Sequence, residues 1–248
     1  MRGTGFRYHG FAVSFLLLFP LFLAGCGSPG LSAYRQGDHG TALKEFRSDR
    51  TPQGDFAVGV MYYKGEGIEP DSAEAARWFR RAAERGHSAA EYNLGLLYLN
   101  GDGVRSDLTL AAGWFRRAAD QGYEKAQYNL GLMHAKGEGV EKNLARAAAL
   151  FRLSARQGNP KAGVLLGLMY AKGEGVARDF REAARCFRKA AAQGNGEAAI
   201  YLALMHRRGI GVERDDAKAA ALLHDAAKLG YPQAEKYLDT MHGNLTGS

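Results

Sequence analysis

Apolar and polar residues alternate in a pattern that returns every 36 residues between positions 52 and 231. In the unit at 124–159, the first half predicts a helix from about Glu124 to Lys136, and the second half predicts a helix that ends near Gln157. The second stretch places apolar side chains on one face at helical spacing: Ala147, Ala148, Phe151 and Ala155. Each period is therefore expected to be a pair of packed helices.

Glycine and Asx residues mark the ends of these predicted helices. Gly137 is expected to end the first helix in a left-handed conformation, and Asn143 is expected to cap the start of the second. Glycine and aspartate recur at the same positions in the other units: Gly65, Gly101, Gly173 and Gly209, and Asp71, Asp107, Asp179 and Asp215. Units that repeat at a fixed period stack along one axis, which predicts an all-α solenoid.

Three motifs carry a resemblance to a known family. They are A-x-Y-N-L-G-L-x-Y at 90–98, G-x-G-V at 101–104 and W-F-x-x-A-A at 114–119. The chain resembles the Sel1-like repeat family, a relative of the tetratricopeptide repeats, over about residues 31–241. The resemblance implies a right-handed α/α superhelix whose first helices line a concave, protein-binding surface.

The repeats divide the chain into segments. Residues 31–51 are expected to form an N-terminal capping hairpin, and 52–231 to form five 36-residue repeats. Residues 232–241 predict a capping helix, and 242–248 a flexible tail.

The N-terminus has the pattern of an export signal. Arg2 and Arg7 precede a 13-residue apolar run at 11–23, which is shorter than the ~20 residues of a membrane span. The following Leu23-Ala24-Gly25-Cys26 resembles a lipobox, which implies that residues 1–25 are removed and Cys26 is acylated, with 26–30 as a short linker. Gly27, in place of aspartate, favours an outer-membrane anchor facing the periplasm. The alternative is an ordinary secretory signal with a chance cysteine.

Composition and charge exclude several functions. The 33 basic and 26 acidic residues leave a formal charge of +7, without a dense basic run, so nucleic acid is not an expected partner. Two cysteines, Cys26 and Cys186, are too few for a disulfide framework. Cys186 is expected to be a buried, inert thiol.

No pattern indicates catalysis, a cofactor or a metal. The G-x-G loops lack the continuation of a nucleotide-binding motif. Three histidines, His134, His206 and His242, occupy a position held elsewhere by tyrosine, so we expect packing residues rather than metal ligands. A β-lactam hydrolase, known among cysteine-rich relatives, is disfavoured because paired cysteines are absent. The chain is predicted not to be an enzyme.

Basic residues form a ladder at the repeat period on the second helices: Arg80, Arg116, Arg152 and Arg188. A solvated outer face is the main expectation for this ladder, and contact with anionic lipid or an acidic partner is the alternative.

The predicted partner-binding residues lie on the first helices: Tyr92, Asn93, Tyr128, Asn129, Val164, Leu165, Ile200 and Tyr201. Their mixed aromatic, amide and aliphatic chemistry is typical of protein interfaces, although one residue of each pair could instead belong to the core. The resulting hypothesis is a membrane-tethered periplasmic scaffold whose partner is another protein of the envelope. The alternative is an immunity protein that neutralises a type VI secretion effector, such as a lipase.

Overall fold

The computed structural model describes residues 28–243, and this part of the chain is all-α. It contains thirteen helices in chain order: α1 Pro29–Arg35, α2 His39–Asp49, α3 Pro52–Lys64, α4 Ser72–Glu84, α5 Ser88–Asn100, α6 Leu108–Asp120, α7 Glu124–Lys136, α8 Leu144–Arg156, α9 Pro160–Lys172, α10 Phe180–Ala192, α11 Gly196–Arg208, α12 Asp216–Lys228 and α13 Pro232–Gly243. Consecutive helices pack against each other along the whole stack. The fold is the predicted all-α solenoid, with first helices on one side and second helices on the other.

The N-terminal hairpin begins earlier than predicted. Helix α1 starts at Pro29, within the expected linker, because the Ser28 hydroxyl accepts a hydrogen bond from the Leu31 N–H at 3.3 Å. Proline at the first helical position needs no N–H partner of its own. The Tyr34 hydroxyl donates to Glu66 at 2.6 Å and ties this hairpin to the loop of the first repeat. The predicted leader, residues 1–25, and Cys26 lie outside the described residues.

The C-terminal helix α13 extends to Gly243, two residues beyond the predicted end of the cap. The remaining tail, 244–248, lies outside the described residues.

Caps form where the sequence predicts them. Asp71 accepts from the N–H groups of Ala73 and Glu74 at 2.9 Å each, and Asn143 accepts from the Arg146 N–H at 2.9 Å. Each first helix of a repeat ends at a left-handed glycine, such as Gly137 with φ of +80°. A side-chain cap of this kind stabilises a helix by ~1 kcal/mol, so the helix bounds are determined locally, repeat by repeat.

The second glycine of each G-x-G loop forms the joint between repeats. A Cβ added to Gly139 would lie 2.1 Å from the carbonyl oxygen of Leu108, and one added to Gly103 would lie 2.2 Å from the backbone of Ser72. Each loop therefore sits directly on the start of the second helix in the preceding repeat. Any side chain there would push neighbouring repeats apart.

The core of each of repeats 1 to 4 pairs a large ring with a glycine. Phe115 is fully buried, and a Cβ on Gly95 would lie 2.7 Å from its ring. The fifth repeat has Leu223 at the ring position and Ala203 at the glycine position, both buried. Leu223 is smaller than the phenylalanine of the other repeats, and Ala203 is larger than their glycine, so the two changes together leave no cavity between the helices.

Candidate partner-binding face

The predicted binding residues separate into two groups. Asn93, Val164 and Ile200 are 4 to 5% exposed and belong to the core, so they offer no surface to a partner. The other five are only half-buried, so part of each side chain is open to a partner: Tyr92, Tyr128, Asn129, Leu165 and Tyr201. We call the surface that they form on α5, α7, α9 and α11 the first-helix face.

Tyr92 and Tyr128 are anchored in the stack by their rings. The Tyr92 ring lies 5.7 Å from that of Phe115 and 5.1 Å from that of Tyr123, and its hydroxyl accepts a long hydrogen bond from Asn129 at 3.5 Å. Burial raises the pKa of Tyr92, so the hydroxyl stays neutral over the working pH range. The Tyr128 ring lies 6.0 Å from that of Phe151. These rings are held in place before a partner arrives, which lowers the entropic cost of binding.

In repeats 4 and 5 the half-buried residue lies one position later along the first helix than in repeats 2 and 3. Buried Val164 and Ile200 occupy the position of Tyr92 and Tyr128, and the next residues, Leu165 and Tyr201, are half-buried instead. The Tyr201 ring stacks on Phe187 at 5.1 Å. The first-helix face thus keeps a large side chain in each of repeats 2 to 5.

A leucine row on this face was missed by the sequence analysis. Half-buried leucines recur at the repeat period, one helical turn from the positions above: Leu96, Leu132, Leu168 and Leu204. Their spacing was visible in the sequence, but apolar residues in a helix are normally assigned to the core. Together with the aromatic residues and Leu165 they give each of repeats 2 to 5 two large, half-buried apolar side chains on its first helix, and we call this set the apolar strip.

Two of the histidines are packing residues, as expected. His134 and His206 are 4 and 5% exposed, and the Nδ1 atom of each lies within 3.2 Å of a carbonyl oxygen in its own repeat, which fixes the ring. The His242 side chain lies outside the described residues. Within residues 28–243 no cluster of three potential metal ligands occurs.

The arginine ladder is only partly solvated. Arg80 donates to the Tyr98 hydroxyl at 2.5 Å, and Arg152 donates to that of Tyr170 at 2.9 Å. Where the next repeat has histidine instead of tyrosine, Arg116 and Arg188 are exposed.

Buried carboxylates join the two helices of repeats 1 and 2. Asp55 is 1% exposed and accepts from Arg81 and Arg85 at 3.1 Å each. Glu91, equally buried, accepts from Arg117 at 2.9 Å and from Gln121 at 2.6 Å. We call these two groups the carboxylate clamps. They were not foreseen, because charged residues are rarely buried.

Cys186 is half-buried against the core of repeats 3 and 4. Burial raises the pKa of its thiol to about 11, so it is protonated and unreactive near neutral pH. Among residues 28–243, no helix is both long and apolar enough to cross a bilayer.

Comparison with known proteins identifies the repeats. The Sel1 repeat family matches five consecutive blocks: 52–87, 88–123, 124–159, 160–195 and 196–231. A search of curated protein sequences found no match.

Two solved structures are similar over most of the chain. A Sel1 repeat protein from Oxalobacter formigenes is 31% identical with a TM-score of 0.80, covering 84% of this chain and 87% of that one. A protective antigen of uropathogenic Escherichia coli with an SLR fold is 32% identical with a TM-score of 0.83. That alignment covers 88% of this chain and 48% of the antigen, so this chain spans about half the antigen's length.

An immunity protein from Pseudomonas aeruginosa is more distant. It is 17% identical with a TM-score of 0.47, and the alignment covers 84% of each chain. This likeness carries no argument about role. The five matched blocks and the two closer structures give one conclusion: the chain belongs to the Sel1 repeat family, as a protein-interaction scaffold and not an enzyme.

Proposed function

We propose that this protein is a membrane-tethered periplasmic adaptor that holds a partner protein on its first-helix face. The observation that carries the proposal is the apolar strip, a pair of half-buried aromatic or leucine side chains that recurs on each of α5, α7, α9 and α11. Aromatic residues held in place by packing are typical hot spots of protein interfaces.

Charge at the C-terminal ends of the first helices favours a partner with acidic groups beside its apolar contacts. The first helices of repeats 1, 3, 4 and 5 end in Lys64, Lys136, Lys172 and Arg208. A loop glutamate pairs with the first three at 3.3 to 4.0 Å, whereas repeat 5 has Ile210 at that position. Positive charge near the strip is therefore least compensated towards the C-terminal end. Complementary charge would mainly speed association and select the partner.

The tether is proposed from the lipobox-like Leu23-Ala24-Gly25-Cys26. In cells, Cys26→Ser should abolish lipid labelling and block lipoprotein-type processing. Normal processing and full membrane retention of this variant would show that the anchor is something else.

Crosslinking in intact cells, followed by identification of the captured protein, tests the binding face. Tyr128→Ala should weaken capture roughly 30-fold, as truncation of a hot-spot aromatic costs ~2 kcal/mol. Arg116→Ala, on the other side of the stack, is the control and should bind normally. An envelope component as the captured protein would support the adaptor role, whereas a secreted toxin would support the immunity role.

A stability measurement accompanies this test because Tyr128 also contacts Phe151. Leu168→Gln is the second variant, since it keeps most of the volume while adding a polar group to the strip. Normal capture by both folded variants, with loss in Arg116→Ala, would place the partner on the second helices instead.

A further inference from the structure

Positive charge is concentrated on two of the second helices. Helices α8 and α10 together contain seven basic residues and one acidic residue. Six of the basic residues are exposed: Arg146, Arg156, Arg181, Arg185, Arg188 and Lys189. The seventh, Arg152, is half-buried on Tyr170, and the single acid, Glu182, accepts from Arg185 at 2.5 Å. We call the outward side of α8 and α10 the cationic face.

The matching helices of repeats 1 and 2 are close to neutral. Helices α4 and α6 contain five basic and three acidic residues, and the carboxylate clamps neutralise two of those arginines, Arg81 and Arg117. In repeats 3 and 4 the clamp position is occupied by Gln127 and Gly163, so this compensation is absent. The charge of the cationic face therefore remains available to a ligand.

The rest of the cationic face is apolar. Leu153 is 45% and Phe180 is 37% exposed, and alanines occupy most of the remaining positions. The only neutral polar side chains in the two helices are those of Ser154, which is buried on Glu124, and half-buried Cys186. The face consequently offers charge and apolar contact, but almost no neutral hydrogen-bonding groups.

We propose that the cationic face docks on an anionic lipid bilayer. A protein partner is recognised through about ten direct hydrogen bonds that use donors and acceptors on both sides, whereas the exposed arginine and lysine side chains of this surface are donors only. A bilayer surface instead presents fluid phosphate charge above an apolar interior, and it attracts basic residues that are interspersed with exposed leucine and phenylalanine.

The position of the proposed anchor is consistent with this docking, in a step that rests on the proposed function. Cys26 is two residues before Ser28, where the described structure begins, so an acylated Cys26 would hold the N-terminal end of the stack near a bilayer. Contact at α8 and α10 as well would lay the solenoid along the membrane. The first-helix face would then point away from the lipid and remain open to its partner.

The test uses the expected mature chain, residues 26–248, with Cys26→Ser, so that neither an acyl chain nor the apolar run at 11–23 contributes to binding. Its affinity is measured for vesicles of phosphatidylcholine alone and of phosphatidylcholine with 30% phosphatidylglycerol. Each basic residue at an anionic surface contributes about fivefold. The triple variant Arg146→Gln/Arg156→Gln/Arg188→Gln should therefore lose about 100-fold on the anionic vesicles only.

The matched control removes the same charge from the opposite side of the stack, with Lys125→Gln/Lys172→Gln/Arg208→Gln, all three exposed on first helices. At 0.1 M salt, charges beyond ~10 Å from the surface are screened, so this variant should bind within about threefold of the parent. Thermal melting of both variants verifies that they fold, and loss of parent binding in 0.5 M salt tests the mechanism without any further substitution.

Three results would overturn lipid docking. The first is equal binding of the parent to both kinds of vesicle, and the second is equal weakening in both triple variants. The third is failure to bind anionic vesicles together with arginine-dependent binding of poly-glutamate, which would assign the face to an acidic protein. Lipid labelling of Cys26 is scored separately, so failure of the tether and failure of the docking are distinguishable.

Discussion

Repeats 1 and 2 join their two helices through buried charge, whereas repeats 3 to 5 do so without it. Asp55 and Glu91 are each 1% exposed and held by arginine. Repeat 3 has Gln127 at this position, and its amide bonds to Gln157 at 2.9 Å and to the Ala119 carbonyl at 3.3 Å. Both helices are nonetheless 13 residues long in all five repeats.

The difference shows what this position of the repeat requires. Repeats 4 and 5 have Gly163 and Ala199 there, which bring no polar group to satisfy. A buried polar side chain is tolerated when it is hydrogen-bonded, and a small one needs nothing. The fold therefore does not depend on the carboxylate clamps. A repeat that contains a clamp, however, needs both the buried carboxylate and its arginine.

Breaking one clamp should have the largest effect. Arg117→Met leaves Glu91 buried without its cation, and we expect unfolding to become easier by about 3 kcal/mol, the lower end for a broken buried pair because Arg117 is itself half-exposed. Urea unfolding at pH 7.5 measures this. A loss below 1 kcal/mol would mean that water or Gln121 replaces the arginine.

The equivalent change in repeat 3 should cost less. Gln157→Ala removes a neutral hydrogen bond to Gln127, and a single bond of this kind contributes about 1 kcal/mol. The same urea titration compares the two variants. If Gln157→Ala were as damaging as Arg117→Met, charge would not be the distinction between the two regions.

Lowering the pH should change the stability contributed by the clamp of repeat 2, and by less than the two substitutions above. Burial raises the pKa of Glu91 from its ordinary value of 4.5, and Arg117 and Gln121 offset only part of the rise. Protonation of Glu91 is thus easier in the folded state than in the unfolded chain. The stability gained from this raised pKa is fully present below pH 4.5 and is lost as the pH rises through the folded pKa. The parent should gain stability relative to Glu91→Gln between pH 7.5 and 4.5, and a relative loss would reverse the assignment.

Transplanting the arrangement of repeat 3 should have the smallest effect. Glu91→Gln/Arg117→Leu gives repeat 2 the residues that repeat 3 carries as Gln127 and Leu153, and Gln121 already matches Gln157. Replacing a complete buried pair is often close to neutral, so we expect a change below about 1 kcal/mol and less dependence on salt. A loss equal to that of Arg117→Met would show that the repeats are not interchangeable.

Local signals made most of the fold predictable. Helix ends followed from Asx and glycine residues whose effect is confined to one turn, and the family resemblance followed from the same positions. The start of α1 was missed because Ser28 and Pro29 were assigned to a linker, although together they form a standard helix start.

The binding face was harder to predict, since neighbouring helical residues differ by only 100° in direction. The sequence pattern could not decide which of Val164 and Leu165 faces outward, and packing against the core decided it. The carboxylate clamps were hidden for a related reason: their partners lie 26 to 30 residues away. The available signal was that an acid and an arginine with the same spacing recur at equivalent positions of two successive repeats.

The contact between Gly139 and the backbone of Leu108 has a consequence for how such chains grow. Every 36-residue block carries both halves of this contact, the loop glycine that fits the block before it and the helix start that receives the block after it. Duplication of a whole block therefore supplies a matching joint on each side, with no accompanying substitution. Array length becomes a quantity that recombination can change in single steps, while the two terminal caps remain as they are.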